Sequence, residues 1–153
     1  MSADSTTQSL SPVLSPSCSP SLALSDTDFQ TSFESCTLPA EAFDHIGHLR
    51  IGWLYARAWP LNAAIQHTCN GIQALASHLG APDKFHYTLT EAFVRLIAQR
   101  IDRAPVQSFS AFLQNNTDLL SNALPLIHQH YSAQLLASPE AKHGSVQPDI
   151  LAI

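Results

Sequence analysis

Ten prolines set the longest helix this chain can form. Proline has no backbone N–H and its ring clashes with the preceding turn, so each one starts a helix, ends it or breaks it. Pro39, Pro60, Pro105, Pro125 and Pro139 divide residues 39–153 into segments of helix length. Within them the apolar residues recur at helical spacing, and no segment sustains the period-two alternation of a half-buried strand.

The first segment predicts a helix over residues 39–57, with Phe43, Ile46, Trp53 and Leu54 on one side and His45, His48, Gly52 and Ala56 on another. A second helix is expected over residues 61–79, where Leu61, Ile65, Thr68, Ile72, Leu75 and Leu79 form an apolar stripe and Gly80 takes the C′ position. In the stretch KFHYTLTEAFVRLIAQRI, Thr88 and Glu91 read as a capping box at the start of a third helix that Pro105 closes. A short turn around residues 109–113 leads to a fourth helix over residues 117–137, kinked or broken at Pro125. Ser138-Pro139 opens one more short turn ending at Gly144, and the tail SVQPDILAI is extended. Two connected helices joined by the Pro60 turn run antiparallel.

Residues 1–38 are rich in Ser, Thr and Pro, with Ser-Pro at Ser11-Pro12, Ser15-Pro16 and Ser19-Pro20. Such a composition buries too little apolar surface to offset chain entropy. The expected architecture is therefore all-α: an antiparallel bundle of about four main helices over residues 39–153, preceded by a disordered Ser/Pro-rich leader over residues 1–38.

Charge narrows the partners. Only 12% of the 153 residues are charged and the formal net charge is −5, so no basic field exists to neutralise a phosphate backbone, and nucleic acid is not an expected partner. The apolar runs are too short for a membrane span, and the N-terminus lacks the charged and apolar regions of a signal peptide. The expected location is the cytoplasm, with no membrane partner. Cys18, Cys36 and Cys69 form no C-x-x-C pair, and Cys69 is expected to pack as a small buried hydrophobe.

The chemistry-bearing feature is FDHIGHLRIGW, in which His45 and His48 stand three residues apart and share a helix face. With His86 supplied from the next long helix but one, they would hold a divalent metal. Asp44 would orient His48, while Thr88 and Thr90 would hold a bound water or a small-molecule substrate. Each has a plainer reading: helical histidines as polar edges, Thr88 as N-cap, Glu91 as its capping-box partner. No G-x-S-x-G, Gly-rich phosphate loop or H-E-x-x-H occurs, which removes the familiar hydrolase, nucleotide and zincin readings.

The spacing F-x-H-x-x-H-L-x-x-x-W, then F-H-x-T-L-T, then Y-S-x-x-L-L-x-S and a final P-D resembles a family of small uncharacterised bacterial proteins. The matching residues are His45, His48, Leu49 and Trp53, then His86, Thr88 and Thr90, then Tyr131, Ser132 and Ser138, and finally Pro148 and Asp149. Tyr87 departs from the pattern where a Glu is expected. The resemblance implies that the tail folds back and brings Asp149 to His45, His48 and His86 as a further oxygen donor, an N/O ligand set that suits Zn, Fe or Mn, and it carries no substrate with it.

Three functions compete: a metal-dependent enzyme on His45, His48 and His86 with Thr88, Thr90 and Asp149 as catalytic groups; a metal-free enzyme or pocket with His48 or His86 as general base; and an interaction module anchored by Trp53, Tyr55 and Trp59.

Overall fold

The computed structural model describes residues 19–153. The described chain begins with a 3-10 turn, Pro20–Leu22, and a first helix, α1 (Asp26–Glu34). Three long helices follow: α2 (His45–Ala58), α3 (Leu61–His78) and α4 (Tyr87–Arg103). Five short ones complete the body: α5 (Phe109–Asn115), α6 (Thr117–Ser121), α7 (Leu124–Ile127), α8 (Ala133–Leu136) and α9 (Pro139–His143). Among the described residues there is no strand, and no helix is long and apolar enough to cross a membrane.

Helix ends follow the local chemistry. Hydroxyls of Ser25, Ser108, Ser132 and Ser138 accept from the backbone N–H three residues on, capping α1, α5, α8 and α9. Gly80, at φ 75, closes α3 in the left-handed conformation that favours glycine, and Ala81 N–H returns to the Ala76 carbonyl at 2.8 Å. Pro125 occupies the first turn of α7, where a missing N–H leaves no bond unmade. The expected fourth long helix is therefore broken into α6, α7 and α8 rather than kinked.

Helices α2, α3 and α4 pack against one another, with α2 in the middle of two apolar clusters. On one side Phe29, Phe33, Leu38, Ile51, Tyr55, Ile65, Cys69, Leu75 and Val94 interdigitate. On the other, Leu49, Trp53, Ile97, Phe112, Leu119, Ile127 and Tyr131 do the same. Trp53 and Tyr55 are buried, so of the three expected interaction anchors only Trp59 is exposed. Cys69 packs as expected, its thiol pushed up to about 12 by burial and by the nearby Glu91 charge.

The leader boundary moves. Residues 1–18, with Cys18 and the first two Ser-Pro steps, lie outside the described residues, whereas residues 19–38 are folded onto the core. Phe29 and Phe33 stand four apart on α1 and are fully buried. Gly71 makes room for Phe33: a Cβ there would lie 2.3 Å from the Phe33 ring. Arg50, 5% exposed, is the second tie. Its guanidinium donates to the Ser21 carbonyl, to the Leu24 carbonyl at 2.8 Å and to the Asp26 carboxylate at 2.8 and 3.2 Å, and it lies 4.9 Å from the Phe29 ring centroid. A buried charge needs such partners, and residues 21–26 supply them.

Removing Arg50 takes the donor from the buried Ser21 carbonyl and the partly buried Leu24 carbonyl, whereas Asp26 is half exposed. Arg50→Ala should lower the urea-unfolding free energy by about 3 kcal/mol, and Asp26→Ala by less, about 1–2 kcal/mol, since the guanidinium keeps its carbonyl partners. Equal losses would mean that the ion pair, rather than the carbonyl contacts, holds the N-terminal segment.

Candidate functional site

Asp44 starts the site because it starts α2. Its Oδ1 accepts from Gly47 N–H at 2.8 Å, a standard N-cap bond, and its Oδ2 accepts from the Ser19 hydroxyl at 2.6 Å. Its carbonyl accepts twice from His48: the helical N–H at 3.0 Å and ring Nδ1 at 2.8 Å. A carbonyl can only accept, so Nδ1 of His48 carries the proton and Nε2 is left as the unprotonated nitrogen. Phe43 packs against the imidazole with centroids 4.0 Å apart and the rings tilted by 31°.

His48 lies on the wall of a cleft of about 490 Å³ between the start of α2, the middle of α3, the start of α4 and the α6–α7 link. Apolar walls come from Phe43, Ile72, Phe85, Leu89, Phe93 and Ile127, and the polar groups include His45, Thr90, Lys84 and Asn122. A mainly apolar cleft of this size with a few convergent polar groups is the usual form of a small-molecule site. Burial lowers the His48 pKa below the ordinary 6.5; the Asp44 hydrogen bond acts against burial, and the neighbouring His45 adds to it. The ring is therefore neutral at pH 7, with a lone pair available.

The other expected ligands are differently engaged. His45 donates from Nε2 to the Leu119 carbonyl at 2.7 Å, joining α2 to α6, and keeps Nδ1 free of any partner among the described residues. His86 has both nitrogens occupied: Nε2 donates to the Leu136 carbonyl at 2.7 Å and Nδ1 accepts from Leu89 N–H at 3.1 Å. It is the N-cap of α4, the role expected of Thr88. To ligate a metal His86 would have to give up one of these bonds. Among the described residues no group of three or more His, Cys, Asp or Glu side chains is placed to hold a metal ion.

Thr88 is fully buried in the first turn of α4, its hydroxyl donating to the Gly144 carbonyl at 2.7 Å, away from the cleft. Thr90 does line the cleft, yet its hydroxyl donates back to the His86 carbonyl at 2.8 Å. Glu91 pairs with Arg95 one turn on instead of closing a capping box. The tail folds back as the resemblance implied, but Asp149 does not reach the histidines of the cleft. Its carboxylate accepts from the backbone N–H of Ser132 at 2.7 Å and the Ser132 hydroxyl at 2.5 Å, bonds that hold its pKa below the usual carboxylate value. Phe43 and Asp44, which orient His48, carry more of the site than the threonines; Asp44 is legible as an N-cap residue directly before H-x-x-H.

No family model matches this chain, and no curated protein or solved structure matches it either.

Because burial lowers the His48 pKa, the unfolded chain binds the proton more readily, and folding stability is lost as pH falls below 6.5 toward the folded value. His48→Gln should flatten that part of the stability–pH curve. His86→Ala should instead cost about 1–3 kcal/mol at pH 8, because it removes an N-cap and an interhelical bond. Urea titrations of both variants between pH 5 and 8 check the contrast.

Proposed function

We propose that the cleft binds a small, mainly apolar molecule bearing one acidic proton, and that neutral His48 removes that proton as a metal-free general base. One observation carries this reading: Nδ1–H of His48 is committed to the Asp44 carbonyl, which leaves an Nε2 lone pair on the wall of an apolar cleft. Burial keeps that nitrogen unprotonated at neutral pH. A proton taken up by Nε2 creates an imidazolium whose Nδ1–H still donates to the Asp44 carbonyl, so the charge forms without loss of the orienting bond. Lys84, Thr90 and Asn122 on the same cleft are the groups available for the substrate's polar end.

A divalent metal, Zn, Fe or Mn, on His45 and His48 is the second reading, supported by the uncommitted Nδ1 of His45 and Nε2 of His48. Such a site has two protein nitrogens and would draw its remaining donors from solvent or substrate.

The test is α-proton exchange in D2O with a panel of small apolar ketones and esters, assayed in metal-free buffer and again with added zinc. The expected result is exchange above the buffer rate for members that fit the cleft, independent of zinc and abolished by His48→Gln. Exchange that needs zinc moves the assignment to the metal. No exchange with any member, or exchange that survives His48→Gln at full rate, overturns the base.

A further inference from the structure

The groups that the cleft leaves unused define the polar end of its ligand. Thr68 and Thr90 have spent their hydroxyl protons on the Ala64 and His86 carbonyls, and both nitrogens of His86 are engaged. His45 Nδ1 and His48 Nε2 are lone pairs and can only accept. Two residues on the cleft can still donate, Lys84 and Asn122. Oδ1 of Asn122 accepts from Leu124 N–H at 3.1 Å, which fixes the orientation of the amide, and Nδ2 has no partner among the described residues.

Lys84 is the only lysine or arginine on the cleft, at the end of the Pro82–Lys84 turn that leads into α4. The residue is exposed, so its ammonium is open to solvent and to a ligand. Among the described residues it takes part in no hydrogen bond or ion pair, whereas Arg50, Arg95 and Arg100 each have a carboxylate and Lys142 donates to the Asp83 and Phe85 carbonyls. The cleft has one carboxylate of its own, Asp44, and both oxygens of that group are taken, by Gly47 N–H and by the Ser19 hydroxyl. An unpaired ammonium at the rim of an apolar cleft attracts an anion and repels a cation.

The walls set the rest of the ligand. Phe43, Ile72, Phe85, Leu89 and Phe93 cover an alkyl or aryl group and offer nothing to a second charge. We propose that the cleft takes a small apolar monocarboxylate, with its carboxylate paired to Lys84 and its apolar body against these side chains. The assignment rests on the cleft being the ligand site, as proposed above, but not on His48 acting as a base.

The test is a titration of the full chain with 3-phenylpropanoate and with its uncharged counterpart 3-phenylpropanamide, followed by ¹H–¹⁵N spectra at low ionic strength. Saturable shifts of residues around the cleft are expected, with the carboxylate bound about fivefold more tightly than the amide and the difference fading at high salt. Lys84→Met, which breaks no bond of the folded chain, should bring the two ligands to equal affinity. His48→Gln should leave the preference in place, so absent proton exchange with an intact preference sinks the base and supports the carboxylate site. Equal affinities in the unaltered chain, or a preference that survives Lys84→Met, overturn the carboxylate site and leave the base to its own test. Shifts that saturate with neither ligand overturn it as well.

Discussion

A helix buried on every side must be given partners on every side, and α2 is such a helix. Gly47, Leu49, Arg50, Ile51, Gly52, Trp53 and Tyr55 are all buried, so the core cannot be built by α3 and α4 alone. Gly52 lets α4 approach, since a Cβ there would lie 2.7 Å from Ile97 Cδ1. Arg50 on another face draws residues 21–26 inward, because its charge would otherwise be buried without compensation. Once that segment is fixed, Phe29 and Phe33 cover the outer side of α2 and α3, and Ser19 reaches Asp44.

The same helix creates the site at its first turn. The Asp44 side chain caps α2 while its carbonyl fixes the imidazole of His48, so one residue decides both where the helix starts and which nitrogen of His48 carries the proton. Two of the three histidines serve as struts. His45 reaches α6 and His86 reaches the end of α8, and these bonds tie the short helices to the ends of α2 and α4. His48, whose Nδ1 is tied to the carbonyl that caps its own helix, lines the cleft and keeps Nε2 without a partner among the described residues.

Much of the fold was legible in the sequence, for identifiable reasons. Pro60, Gly80 and Pro139 mark ends that depend only on local backbone chemistry, and α3 and α9 lie within a residue or two of their expected limits. Helix α1 was hidden because two phenylalanines in a Ser/Thr-rich stretch do not lift its average hydrophobicity; the burial of Arg50, which demands that stretch, is a tertiary fact. Both histidines of the H-x-x-H pair line the cleft, but the partners of His45 and His86 are carbonyls 74 and 50 residues away, which no local spacing encodes. Thr88 lost the cap of α4 to His86 because the favoured ranking of capping residues says nothing about an imidazole that also has a distant carbonyl to bind.

The most direct measurement is the protonation of His48 itself, read from long-range ¹H–¹⁵N correlations of histidine-labelled protein across pH. A neutral ring protonated on Nδ1, titrating below 6.5, is the result that follows from the Asp44 bond and the burial of the ring. A ring protonated on Nε2, or one that titrates at or above 6.5, would contradict the assignment of His48 as the base of this cleft.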